Sequence, residues 1–231
     1  MCGIAGFVDF NKSSIEADVS RMSNCLQHRG PDGQGVYFVE TNNAAIGLGH
    51  RRLSIIDLSH AADQPMHYDG LHIIFNGEIY NYVEIKDELI KKGHQFQTHS
   101  DTEVILHSWR EWGQAAIQQW HGMFAITLYD EKTAEIICIR DRAGVKPLYY
   151  YFHEGLFLFS SELKSIASFP NFKKEISPDA VAGFLQYGYV SHPQCIYKNT
   201  FKVSPGNLLR LNLTGQSIAL HQYWNVYDYY N

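Results

Sequence analysis

The sequence predicts an α+β fold, a layered sandwich of antiparallel sheets. Two observations carry this. About ten segments either alternate apolar and polar residues or form short apolar runs, and the helices announced by caps stand in separate groups instead of alternating with single strands. The strands are expected at residues 4–8, 36–39, 44–48, 71–75, 124–129 and 135–139. Two hairpins come after them, over 148–159 turning at Glu154-Gly155 and over 208–223 turning at Thr214-Gly215. Ser13 and Glu16 read as a capping box ahead of Ile15, Val19, Met22 and Leu26, with Gly30-Pro31 ending that helix. Asn81 and Glu84 open a second helix with Gly93 as its stop, and Ser100 and Glu103 open a third that runs to about Trp112. A fourth begins after Ser177-Pro178 and carries Val181, Phe184 and Leu185. One domain is expected over 1–200, and 201–231 reads as a strand-rich extension leading onward.

The 231 residues suffice for one large domain with a full core. A net charge of −5 without a basic run argues against nucleic acid or an anionic membrane as partner. No apolar run approaches the roughly 20 residues of a membrane span, and the first residues lack the order of a signal peptide. A cytoplasmic location is therefore expected. The four cysteines form no CxxC pair, and the twelve histidines show no ligand spacing, so neither a disulfide framework nor a metal site is expected. The 15 tyrosines and 13 phenylalanines are numerous enough that an interface with another domain, or a homo-oligomer, fits the composition.

Cys2 stands directly after Met1. Its small side chain favours removal of Met1, which would leave a thiol and a free α-amino group on one residue. With reference pKa values of about 8.5 and about 7.7–8.0, the amine can take the thiol's proton, giving a nucleophile and its base together. As a small apolar residue, Cys2 could equally just open a buried strand. Five other segments stand out, three of them with comparable alternatives. Arg51 and Arg52, beside an apolar strand end, suit a planar fork for a carboxylate or a solvated turn. Asn76, Gly77 and Glu78 come after an apolar strand, where an amide and a backbone N–H could face an oxyanion, or where Asn-Gly is simply a turn. Asp101, in the first turn of a helix, could cap it or hold an ammonium group. His28 to Gly33 (HRGPDG) reads as a structural turn, and Asp141 to Tyr150 as a packed loop feeding a hairpin. An arginine, two acids, a nucleophile and an oxyanion hole together suit a ligand with an α-carboxylate, an α-ammonium and a distal amide. Glutamine is that ligand.

The ordered blocks CGIAG from Cys2, HRGPDG, GHRRLSIID from Gly49, QPM from Gln64, FNGEIYN from Phe75, SDTEVIL from Ser100, GMFA from Gly122 and DRAGVKPLYY from Asp141 resemble the glutaminase domain of class II glutamine amidotransferases. More narrowly, they are similar to the asparagine synthetase branch. The resemblance implies an N-terminal-nucleophile hydrolase fold, a four-layer αββα sandwich. It further implies Cys2 as nucleophile with its own amine as base, and Asn76 with the Gly77 N–H as oxyanion hole. Arg52 would hold the substrate α-carboxylate, and Glu78 and Asp101 the α-ammonium. Arg51 falls where the family varies and receives no contact. Family members continue into a synthetase domain with an SGGxDS loop that uses ATP and Mg, and no such loop occurs here. L-glutamine and a synthetase domain, in cis or as a separate subunit, are the implied partners, with no cofactor in this domain.

Overall fold

Alternation along the strands decides the layers. In the computed structural model, which describes residues 1–54 and 59–230, β1 (Gly3–Asp9) is buried on both faces. Its Ile4 and Val8 join one apolar cluster, while Ala5 and Phe7 join another. Successive strand residues point to opposite sides, so one strand serves two cores. After β1 come α1 (Glu16–Asn24), β2 (Gly33–Glu40), β3 (Ala45–Arg52), β4 (Met66–Tyr68), β5 (Leu71–Ile79), α2 (Tyr82–Lys91), α3 (Asp101–Trp112) and α4 (Ala116–Gln119). The remainder is β6 (Gly122–Asp130), β7 (Glu135–Arg140), β8 (Tyr149–His153), β9 (Leu156–Ser160), α5 (Leu163–Ala167), α6 (Pro178–Tyr187), β10 (Thr200–Lys202), β11 (Asn207–Asn212) and β12 (Ser217–Gln222).

Two six-stranded antiparallel sheets form, in the orders β10-β8-β9-β1-β3-β2 and β12-β11-β7-β6-β5-β4. Between them lie Ile4, Ile46, Leu48, Ile74, Phe159 and Leu209, among others. Val19, Met22 and Ile166 cover the outer face of the first sheet from α1 and α5. Ile85, Val104, Trp109 and Ile117 cover the second from α2, α3 and α4. The result is the αββα sandwich.

Several local expectations change in the structure. The first helix is not capped by Ser13. Both Ser13 and Ser14 instead donate to the Asp9 carboxylate at the end of β1, at 2.8 and 2.7 Å, and Asp18 reaches back to the Ile15 N–H. A buried carboxylate (Asp9 is 2% exposed) recruits every nearby donor, and it outcompetes the cap. Asn81 precedes α2, but its side chain bridges to Gln119 O and His121 N. Ser100 does cap α3, accepting from Thr102 N, whereas Glu103 turns to Gln97 and Thr98. The boundary expected near residue 200 falls inside β10. β11 pairs with β7, Leu208 opposite Ile139, so the sandwich runs on through residue 222. Ile55, Ile56 and Asp57 of the GHRRLSIID block lie outside the described residues. No described helix is long and apolar enough to cross a membrane.

On α3, His107 is packed at 2% side-chain exposure. Tyr68 stacks on it, and its Nδ1 lies 2.9 Å from His94 Nδ1. One of these facing nitrogens must donate and the other accept, so the two rings cannot both be imidazolium. Burial, with His94 and Lys86 adding to it against Glu103, lowers His107 to about 4. A histidine more acidic in the fold than in the unfolded chain contributes stability above pH ~6.5 that is lost as pH falls toward 4. The melting temperature is expected to drop over that window, and His107→Gln to flatten the dependence by up to about 1.4 kcal/mol per pH unit. Melts from pH 4 to 7.5 check this; an unchanged slope contradicts it.

Candidate active site

Period two also gathers the polar residues. On β3, Ile46 and Leu48 face the inter-sheet core, so His50 and Arg52 point the same way beyond them. On β5, Ile74 faces that core, which turns Asn76 and Glu78 inward. Cys2 shares the parity of Ile4. These strand ends meet around a cavity of about 280 Å³, which Asp101 reaches from the start of α3. That volume lies near the lower end of the roughly 300–1,000 Å³ range of ligand pockets, a size for one amino acid. All six residues singled out in the sequence (Cys2, Arg52, Asn76, Gly77, Glu78 and Asp101) line it.

Two local predictions fail in an informative way. β3 continues through Arg52, so the adjacent arginines part to opposite faces. Arg51 packs outward against α1, its Nε donating to Ser23 O at 3.3 Å and its Nη2 to Asn24. Arg52 faces the cavity and is paired with Asp63 and the Ser59 carbonyl. Likewise Asn76-Gly77 is no turn, because β5 runs on to Ile79. Gly77 lies opposite Phe124, whose N–H and C=O both go to Asp141 on the other side. Gly77 is therefore a non-hydrogen-bonded pair with β6, and its N–H lies on the free edge of β5 beyond β4. On that edge the Phe75 N–H is taken by Gln64 Oε1 at 2.6 Å and the Ile79 N–H by Asp101 Oδ2 at 3.1 Å. Gly77, between them, turns its N–H toward the cavity.

The electrostatics are uneven. Burial pushes the Cys2 thiol above its ordinary range, opposed by the Leu53 amide, the chain's amino terminus and Arg52. The thiol touches Leu53 twice, donating to its carbonyl at 3.6 Å and accepting from its N–H at 3.4 Å. Burial raises Asp101 to about 6, and neighbouring Glu78 adds to this against the N–H bonds of Ile79 and Thr102. Asn76 is 1% exposed, yet neither its Oδ1 nor its Nδ2 has a partner among the described residues. His50, which sequence reasoning passed over, also lines the cavity. Burial holds it neutral, lowering it to about 3, and its Nε2 lacks a partner among the described residues. Gln64, which opens the QPM block and had no role in the sequence reading, bridges Phe75 N and Thr102 Oγ1 and so ties β5 to α3. Lys146, 5% exposed, lines the cavity from the loop after β7, and only its place in the DRAGVKPLYY block could have pointed to it.

A cysteine ahead of an inner strand, at the mouth of a cavity between two antiparallel sheets, defines an N-terminal-nucleophile amidotransferase architecture. The fold agrees with that class: a solved phosphoribosylpyrophosphate amidotransferase of Bacillus subtilis superposes with a TM-score of 0.68 at 19% identity, over 96% of this chain and 49% of its own. The profile described as glutamine amidotransferase domain matches residues 1–224, and the chain belongs to that family. A Methanocaldococcus jannaschii protein assigned as a glutamine-hydrolysing asparagine synthetase is 39% identical over 99% of this chain and 47% of its own length. Glutamine-hydrolysing asparagine synthetase 3 of Bacillus subtilis is 36% identical over 98% and 37%. The chain thus spans less than half the length of these curated relatives.

A Cβ on Gly77 would lie 2.2 Å from Met123 O and 2.7 Å from Phe124 Cα, both backbone atoms that cannot swing aside. Gly77→Ala is expected to destabilise by about 1–3 kcal/mol, lowering the melting temperature by about 2–4 °C per kcal/mol. Calorimetry checks this, and an unchanged transition would show that β5 and β6 spread freely.

Proposed function

We propose that this domain hydrolyses L-glutamine to glutamate and ammonia through a γ-glutamyl thioester on Cys2. The observation that carries the reading is the buried Asn76 amide, without a partner among the described residues and lining the same small cavity as Cys2, an arginine and two acids. Arg52, braced by Asp63, holds the substrate α-carboxylate, and Glu78 and Asp101 hold the α-ammonium. Removal of Met1 frees the Cys2 amine, which takes the thiol proton through a water. The thiolate attacks the side-chain carbonyl carbon, and the oxyanion is received by Asn76 Nδ2 and the Gly77 N–H. The C–N bond then breaks, ammonia leaves with the proton, and water cleaves the thioester to release glutamate.

The ammonia passes to an ATP- and Mg-dependent synthetase domain, in cis or as a separate subunit, which makes asparagine or a related amide. The names and lengths of the relatives support this, and this domain itself needs no cofactor. The four free thiols suit a reducing compartment, the cytoplasm. A second reading, a binding domain without catalysis, draws on Met1 itself lining the cavity. Intact mass separates the two. Loss of one methionine followed by an adduct from diazo-oxo-norleucine is expected, and fully processed protein without an adduct favours the binding domain.

Asn76→Ala is expected to lower kcat by ~100- to 1,000-fold with little change in KM; unchanged turnover would remove the oxyanion role. Ammonium binding needs the Asp101 carboxylate, which is raised to about 6, so below that value kcat/KM for glutamine is expected to lose about a further tenfold per pH unit beyond the loss from protonating the Cys2 amine. That added steepening should vanish in Asp101→Asn, at the cost of weaker binding throughout. A pH profile of initial rates decides it.

A further inference from the structure

A residue at the start of a chain is held from one side only. Without Met1, no preceding peptide fixes Cys2, and its position depends on contacts made by its own carbonyl and by the strand beyond it. The ladder to β3 starts at Gly3 opposite Arg51. The Cys2 carbonyl is instead held by Arg29, whose Nε donates to it at 2.9 Å. Arg29 stands in the HRGPDG turn after α1, its side chain only 9% exposed. Its Nη1 donates to Glu162 Oε1 at 2.9 Å. Its Nη2 is buried without a partner among the described residues. A structural turn has no need of a buried, partly unsatisfied guanidinium.

Glu162 is itself gripped by three side chains. His28 Nε2 lies at 3.0 Å and Lys164 Nζ at 3.2 Å, besides Arg29. Although burial opposes it, these bonds hold Glu162 ionised down to about 2. The segment leading to Glu162 also ties down the next part of the strand. Ser161 N–H donates to Ile4 O at 2.9 Å, Ile4 N–H donates to Ser161 Oγ at 3.1 Å, and Ser160 Oγ donates to Ile4 O at 3.1 Å. One segment therefore fixes Ile4 directly and Cys2 through Arg29.

We propose that Arg29, oriented by Glu162, is a positioning residue for the nucleophile: its bond to the Cys2 carbonyl fixes the Cys2–Gly3 peptide plane and so sets the position of the Cys2 Cα, from which the thiol and the amine project toward Asn76 and Gly77. The inference rests on the reading of Cys2 as nucleophile. The planar fork is essential, since Nε and Nη1 must meet acceptors in two different segments at once, which an ammonium cannot reproduce.

The test uses processed protein, with Met1 loss verified by intact mass, carrying Glu162→Gln or Arg29→Lys. Both are expected to lower kcat for glutamine hydrolysis by about tenfold or more, leaving KM within about twofold because Arg52, Glu78 and Asp101 are untouched. The pH profile of Cys2 alkylation by iodoacetamide is expected to shift in parallel. The proposal is overturned if kcat and the alkylation profile stay unchanged, or if kcat falls only as far as the folded fraction measured by circular dichroism. Should Arg29→Lys not fold, Glu162→Gln, which keeps the volume and removes only the charge, decides alone. An unsubstituted processed protein that hydrolyses no glutamine defeats the reading of Cys2 itself, whereas an active parent with unaffected variants defeats only the clamp.

Discussion

The antiparallel register of β1 against β3, with Ile4 opposite His50 and Gly3 opposite Arg51, is the constraint on which the site depends. It sets the start of one strand beside the end of another, so Cys2 comes level with Arg52. Because side chains alternate, a slip by one residue would turn Arg52 toward α1 and leave Arg51 facing the cavity. The packed inner face forbids that slip, since Ile46 and Leu48 would leave the inter-sheet core, where both are fully buried. The apolar residues of β3 thus specify the orientation of its polar end.

The second sheet supplies a different resource, an unpaired strand edge. β4 covers β5 only from Leu71 to Ile73. Beyond it, backbone donors would be lost to folding unless something received them. Gln64 and Asp101 receive two, which leaves the Gly77 N–H between them directed to the cavity. Asn76 adds a side-chain amide without a partner among the described residues. A buried group left unsatisfied costs about 1–3 kcal/mol. The fold sustains that cost because three apolar clusters pack between and outside the two sheets.

A layered sandwich, antiparallel pairing and the order of the helices were legible because they derive from periodicity, whereas the αββα layer order was implied by the family resemblance. Six of the residues lining the cavity were legible too, but as separate fragments with structural alternatives. What misled was local chemistry overruled at a distance. Asn76-Gly77 has the composition of a turn, yet the absence of a Cβ at Gly77 serves close packing against Met123 and Phe124 within a strand. Ser13 has the composition of a cap, yet Asp9 claims it. His50 and Arg29 left no usable signal, since a histidine at a strand end and an arginine in a glycine-rich turn are ordinary until partners distant in sequence are known. Their roles come from contacts to Phe75, and to Cys2 and Glu162.

The charge arrangement in the cavity bears on which ligand it accepts. Burial raises Asp101 to about 6, and the neighbouring Glu78 adds to this. An ammonium group between them relieves both the repulsion and the desolvation, so a neutral or anionic ligand gains less there than a cation. Arg52, whose partner Asp63 stands in a different segment from these acids, presents the opposite charge to the same small space. An α-amino acid, which carries an ammonium and a carboxylate on one carbon, would match this pair of charges, and the remaining volume is bounded by Cys2, Asn76 and Gly77. The two acids and the arginine thus bring opposite charges to one small space, held by the same strand ends that carry Cys2.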